Sequence, residues 1–215
     1  MREAWHLGLL SPAERDRLAG LRREIDQDRS AVGTVLLRLL VAARLGIEPA
    51  AVAVERSCPD CDRPHGKPTV PGTGLYVSVS HSGERVAVAI TEAGPVGVDV
   101  EEAGATDPAE LGRLVFGPGE WATGVEDFLV YWTRKESVVK ATGDGLRAPL
   151  VEVLVTGPTE VPRLVGYRGG PPPPAVVADL RAGAGYRAAL TVLTTATVAV
   201  VERDAADLLR VRQPR

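Results

Sequence analysis

In the stretch GVDVE (residues 97–101), strand alternation sends Val98 and Val100 to one side and Asp99 and Glu101 to the other. Two carboxylates on one face repel unless something positive sits between them. The pair is therefore either a solvated strand edge or a seat for a hard cation such as Mg²⁺, which takes carboxylate, water and phosphate oxygens. In WTRKESVVKATGDGL (132–146), Glu136 precedes Lys140 by one helical turn. As a surface ion pair that spacing contributes only about 0.3–0.5 kcal/mol. The other reading makes Glu136 a third metal ligand or a base, with Lys140 holding a phosphate or tuning the glutamate's charge. Trp132, Glu136 and Lys140 share one helical stripe, beside a second stripe of Phe128, Tyr131, Lys135, Val138, Val139 and Thr142. Gly143 and Gly145 stop the helix and permit close approach of a backbone or ligand.

Three further pieces are reactive by type. HGKP places Lys67 in a loop whose direction Pro and Gly fix. SVSHSG places Ser80, His81 and Ser82 at a strand end, where hydroxyls and an imidazole either meet a phosphate or simply face water. CPDCDRPH brings Cys58, Cys61 and His65 into a C-x-x-C-x-x-x-H spacing that resembles half a zinc site. A structural zinc wants four ligands, and no second cysteine pair exists, so the spacing alone favours two buried or loop thiols.

The elements that must position these residues follow from patterning. Residues 12–46 read as helical, with Pro12 in the first turn and Gly46 as the stop. LYVSVSHSGERVAVAI reads as two strands about a turn at Ser82–Glu84, and PVGVDVEE as another strand. DPAELGRLVFGPGEWA is a helix broken at Gly117-Pro118, and Asp127 to Thr142 is a long helix. Strands follow at LVEVLVTG, AVVADLRAG, YRAALTVLT and TVAVVE, with GGPPPP (169–174) as an exposed connection. Each half thus offers a long helix and short strands, an α+β pattern with helices against largely antiparallel sheets.

The chain has 215 residues, enough for one large domain or two small ones, and 45% are hydrophobic, enough for a core. A net charge of −3 gives no reason to expect nucleic acid or an anionic membrane as partner. The arginine-rich segment ERDRLAGLRREIDQDR is either an anion-holding face or a solvated helix. Two cysteines make no disulfide scaffold, and no apolar run is long enough to span a membrane, so a cytoplasmic location is expected.

Taken in order, GVDVE, FGPGEWA and WTRKESVVKATGDGL resemble the 4′-phosphopantetheinyl transferase pattern G-x-D-x-E, F-S-x-x-E and W-x-x-K-E-x-x-x-K-x-x-G-x-G-L. HGKP, SVSHS and DRSAVGTVLLRLLVA are similar to the first half of the larger, monomeric, surfactin-synthetase-activating type. The resemblance spans roughly residues 14 to 146. It implies a pseudo-twofold α+β pair of similar halves, residues 1–95 and 96–215, with the active site in the cleft between them. It implies transfer of phosphopantetheine from coenzyme A to a serine of an acyl or peptidyl carrier protein, with release of adenosine 3′,5′-bisphosphate.

Carried over by motif, Asp99, Glu101 and Glu136 would bind Mg²⁺ on the coenzyme A diphosphate, although Mn²⁺ satisfies the same oxygens. Glu136 would also take the carrier serine's proton. Lys140 and Lys135 would hold phosphate oxygens. Ser80, His81 and Lys67 would contact the nucleotide, with Arg29 and Ser30 near its 3′-phosphate and Arg17 or Arg22 adding a further contact. The sequence departs from the pattern at Ser137, where an alanine is usual, and at Gly117, where a helix-capping serine is usual. Carrier docking would fall between Leu111 and Val130, with Leu114, Phe116, Trp121 and Phe128 as candidates. Two alternatives stand beside this reading: another Mg²⁺-dependent diphosphate-cleaving enzyme, and a non-catalytic module that binds coenzyme A, a carrier or zinc.

Overall fold

The computed structural model describes residues 4–58, 60–61, 63–104 and 108–210. Its helices are α1 (Ala4–Gly8), α2 (Pro12–Ala19), α3 (Glu24–Leu45), α4 (Pro108–Val115), α5 (Val125–Thr142) and α6 (Ala206–Arg210). Its strands are β1 (Tyr76–Ser82), β2 (Arg85–Thr91), β3 (Val96–Glu102), β4 (Val153–Val155), β5 (Leu164–Tyr167), β6 (Ala175–Leu180) and β7 (Tyr186–Leu193). All named strand pairs are antiparallel, in sheets ordered β1-β2, β3-β7-β6 and β4-β5. The architecture is the α+β arrangement expected from the pattern.

The expected helix over 12–46 is two helices. Leu18 and Asp16 carbonyls accept the Gly20 N–H, closing α2, and the chain re-enters helix at Glu24. Ser11 caps α2 in a reciprocal box with Glu14. Glu14 is also buried in an ion pair with Arg38, whose guanidinium bonds the Pro49 and Val52 carbonyls at 3.2 and 2.8 Å. That pair ties α2, α3 and the following loop together. Leu37 and Val41 then pack on Val52, Val70, Leu75 and Val77, seating α3 on the β1–β2 hairpin.

In the second half, α5 buries Phe128, Tyr131, Val138 and Val139 on the stripe expected to face the core. It lies across β3 and β7. The contact is close at Gly97, where a Cβ would stand 1.9 Å from the Ser137 carbonyl oxygen, so this motif position excludes any side chain. Ser137, in place of the usual alanine, is fully buried and shares a 2.7 Å hydrogen bond with Thr191 of β7.

The hairpin and β3 do not pair strand to strand. Ser78, Ser80 and Ser82 of β1 instead accept the N–H groups of Val98, Val100 and Glu102 through their hydroxyls, at 3.0, 3.4 and 3.1 Å. The period of two in SVSHS presents all three serines to one side, which is why one strand can supply every rung.

TVAVVE forms no strand. Val200 and Val201 are exposed, and with no partner backbone beside them apolar alternation alone does not make a ladder.

Candidate functional site

A polar cleft of about 360 Å³ opens where the hairpin, β3, α3 and α5 meet, and Arg17, Ser30, Thr34, Arg56, Ser80, His81, Asp99, Glu101, Trp132, Glu136 and Lys140 contribute to its wall. One end is acidic and one is basic.

The acidic end is built by β3 and α5. Asp99 is only 2% exposed, because α5 covers the face that strand alternation assigns to Asp99 and Glu101. This excludes the solvated-edge reading for Asp99. Its Oδ1 accepts from Ser80 Oγ at 2.9 Å and from Lys140 Nζ at 2.5 Å, while its Oδ2 is buried with no partner. Glu101 accepts a 2.8 Å hydrogen bond from Ser82. Burial, and then the nearby Asp99 charge, pushes the Glu101 carboxyl up to about 7. The Glu136 carboxyl is raised by the same two causes, with Lys140 opposing them. Asp99 is raised by burial, which outweighs its lysine and serine partners.

The residues fit a divalent cation by their chemistry. Three oxygen donors converge on one cleft, all have raised proton affinity, and Asp99 Oδ2 has an unmet need for a positive partner. Among the described residues, the group whose ligand atoms are already drawn within 4.8 Å of one another is Cys58, Cys61 and His65, outside the cleft.

The basic end is built by α2, α3 and the loop after α3. Arg17 donates to Thr34 Oγ1 at 3.2 Å and keeps a buried Nε with no partner. Arg56 lies close enough to feel its charge: burial, then Arg17, lowers the Arg56 pKa to about 10, and its Nε is likewise without a partner. Two guanidiniums held together with unspent donors suit a phosphate. His81 stands at the cleft mouth, its imidazole lowered chiefly by desolvation, with Arg29 and Lys140 adding and Asp26 opposing. Trp132 brings a buried indole N–H that has no acceptor.

Not every candidate reaches this place. Lys135 does not. It is fully buried, and its ammonium is taken up by the Val115 and Leu150 carbonyls at 2.6 and 2.9 Å and by Glu120. The expectation that Lys135 holds a phosphate is corrected: its stripe faces the core, and Glu120 of FGPGE neutralises it there. Glu120 also accepts from the Gly117 and Val155 N–H groups at 2.8 and 2.9 Å, so Gly117 is held at this turn without a capping serine. Arg22 is exposed and lies off the cleft wall, whereas Arg17 lines it. Arg29 lies off the cleft wall, bound to Asp26 at 3.3 Å, and its charge helps lower the His81 pKa. Lys67 spans to the end of α5, where its Nζ donates to the Ala141 carbonyl at 2.9 Å, and burial lowers its pKa to about 8.

Arg56, Thr34 and Trp132 are wall residues that motif reasoning did not single out as ligands. Trp132 was readable in principle, sharing a stripe with Glu136 and Lys140. Of the docking candidates, Leu114 and Trp121 are exposed, Phe116 is half-buried, and Phe128 is core, edge-on to Phe116 at 5.8 Å.

Residues 95–191, the segment that carries β3, α5 and the acidic end of the cleft, match the sequence model of the "4′-phosphopantetheinyl transferase superfamily". The chain is similar to a "Phosphopantetheinyl transferase" of Thraustochytrium sp., 34% identical over 161 residues, covering 64% of this chain and 54% of the relative. It is also similar to the "4′-phosphopantetheinyl transferase HetI" of Nostoc sp., 31% identical over 150 residues (63% and 60%). A third relative is the "4′-phosphopantetheinyl transferase Sfp" of Bacillus subtilis, 25% identical over 155 residues (67% and 65%). The match thus spans between about half and two thirds of the length of these relatives. Among the described residues, no helix is long and apolar enough to cross a membrane.

Proposed function

We propose that this chain transfers the 4′-phosphopantetheine group of coenzyme A to a serine hydroxyl of an acyl or peptidyl carrier protein, releasing adenosine 3′,5′-bisphosphate. The observation that carries the reading is the two-ended cleft: carboxylates at one end and paired guanidiniums at the other, in a volume suited to a highly anionic nucleotide. The relatives, all named for this transfer, support it.

In this reading Arg17, Arg56 and Ser30 hold the nucleotide phosphates at the basic end, with His81 at the mouth. Asp99, Glu101 and Glu136 hold Mg²⁺ at the acidic end. Held by these carboxylates, a divalent cation would supply charge neutralisation for the diphosphate and for the leaving phosphate. Glu136 accepts the carrier serine's proton at a carboxylate oxygen. Lys140 opposes the desolvation of Asp99 and orients it through the 2.5 Å contact. The serine oxygen forms the new bond to the phosphorus of the phosphopantetheine, and the bond to the adenosine bisphosphate oxygen breaks.

Intact-mass spectrometry of an apo carrier protein incubated with the chain, coenzyme A and Mg²⁺ tests this. The expected result is the gain of one phosphopantetheine, abolished by EDTA and restored by added Mg²⁺. Coenzyme A cleaved without a carrier would favour a general diphosphate-cleaving enzyme, and coenzyme A bound but never transferred to any carrier would favour a binding module.

A further inference from the structure

The loop between α3 and β1 places Arg56 on the cleft wall and Lys67 against the end of α5, and the residues between them lie off the cleft wall. We infer that Cys58, Cys61 and His65 of this loop form a binding site for one Zn²⁺, which staples the loop and so fixes Arg56 and Lys67.

Three independent features of the loop support the site. First, Cys58 and Cys61 face each other across an antiparallel bridge, a tight knuckle that turns both side chains to the same place. Second, His65 Nε2 lies 3.0 Å from Cys61 Sγ, and the three ligand atoms all fall within 4.8 Å of one another. Zinc–sulfur bonds of about 2.3 Å and zinc–nitrogen bonds of about 2.0 Å in a tetrahedron space the ligand atoms by roughly 3.5–3.8 Å, so small side-chain adjustments close the site. Third, packing does not account for the thiols. Cysteine behaves as a small buried hydrophobe when it has no reactive task, yet Cys61 is exposed and Cys58 half-exposed, and both are free. Soft thiolates with an imidazole select zinc over the hard cation suited to the cleft carboxylates. With Cys61 and His65 exposed, water supplies the fourth ligand.

The placement gives the site its consequence. Glu55 and Thr69 exchange backbone hydrogen bonds of 3.0 and 2.9 Å at the loop's base, and the Gly66 N–H donates to the Arg56 carbonyl at 2.9 Å. Gly66 is pressed so closely on Ser57 that a Cβ there would lie 2.1 Å from the Ser57 oxygen. Asp60, inside the knuckle, pairs with Arg147 at 3.1 Å, reaching the segment just past α5. A metal across Cys58, Cys61 and His65 closes the tip of a loop already closed at its base. Both thiols would bind as thiolates, so Zn²⁺ uptake is accompanied by proton release.

The test is titration of reduced, metal-free protein with Co²⁺, a visible reporter of zinc sites. One equivalent is expected to bring up a thiolate-to-cobalt charge-transfer band, bleached by one equivalent of Zn²⁺. Cys58→Ser and Cys61→Ser should each abolish the band, and His65→Ala should weaken cobalt binding at least tenfold. Hydrogen exchange of the 55–69 segment of the unmutated protein should slow on adding Zn²⁺. No band in the reduced protein, or a band that survives in both cysteine variants, would overturn the site. Metal binding without slower exchange would overturn the stapling role. None of these readouts requires transferase activity, so the site stands or falls apart from the proposed function.

Discussion

Lys140 reaches past Glu136 to Asp99. Its Nζ lies 2.5 Å from Asp99 Oδ1, and among the described residues no ion pair or hydrogen bond satisfies Glu136, although Glu136 and Lys140 are one helical turn apart in the favourable order. The choice follows from burial. An exposed helical pair gains a few tenths of a kcal/mol, whereas a nearly inaccessible carboxylate without a counter-charge costs several. The lysine goes where its absence would cost most, and Glu136 is left half-buried without a direct partner among the described residues.

Replacing Glu136 with glutamine therefore separates activity from stability. Transfer to a carrier should fall at least 100-fold, the scale of a lost general base. The melting temperature should stay level or rise, because an unpaired, partly desolvated charge has been removed. A large drop in melting temperature would give Glu136 a structural role instead.

The Glu101 carboxyl, raised to about 7 from the ordinary 4.5, makes stability depend on pH in a defined direction. Between those values the folded chain binds more protons than the unfolded one, so stability falls as pH rises through the window. Glu101→Gln removes that contribution. Relative to the unmutated chain in EDTA, the variant should gain on the order of 1–3 kcal/mol between pH 4.5 and 7.5, read by urea unfolding. A difference independent of pH would contradict the assignment.

Lys135 and Glu120 join two of the motifs as structure. Either Lys135→Met or Glu120→Gln strands a buried partner and should cost about 3–5 kcal/mol. The double variant should recover part of that loss, because no charge is then left unpaired. A double-mutant cycle by chemical denaturation measures the coupling.

Arg56→Ala should weaken binding of adenosine 3′,5′-bisphosphate by roughly 10–100-fold, the value of one or two charge-assisted hydrogen bonds. Calorimetry reads the change directly. Relief of the repulsion from Arg17 should leave the fold no less stable.

These cases mark what the sequence makes readable. Asp99 and Glu101 alternate with valines, and Trp132, Glu136 and Lys140 recur at helical spacing, so local periodicity alone puts them on one strand face and one helix stripe. The hairpin around Gly83 is legible for the same reason, its strands ending at Ser82 and restarting at Arg85. Lys135 is adjacent in sequence to Glu136 but faces the core, because its counter-charge comes from a distant turn that no local pattern announces. Arg56 is a loop arginine outside every motif, brought to the cleft by the closure of that loop at Glu55 and Thr69. TVAVVE has the alternation of a strand and lacks a neighbour, and neighbours are a tertiary property.

The serine rungs between β1 and β3 bear on how copies of this chain behave when concentrated. β3 ends its sheet, and a terminal strand with free amides is a template on which another molecule can pair. The hydroxyls of Ser78, Ser80 and Ser82 occupy the amides of Val98, Val100 and Glu102 and so insulate them. Hydroxyl contacts yield to water more readily than a full backbone ladder, so the hairpin can slip from β3 without any strand pair breaking. Self-association of the partly opened chain would begin on that strand, and the short run of serines is what holds it off.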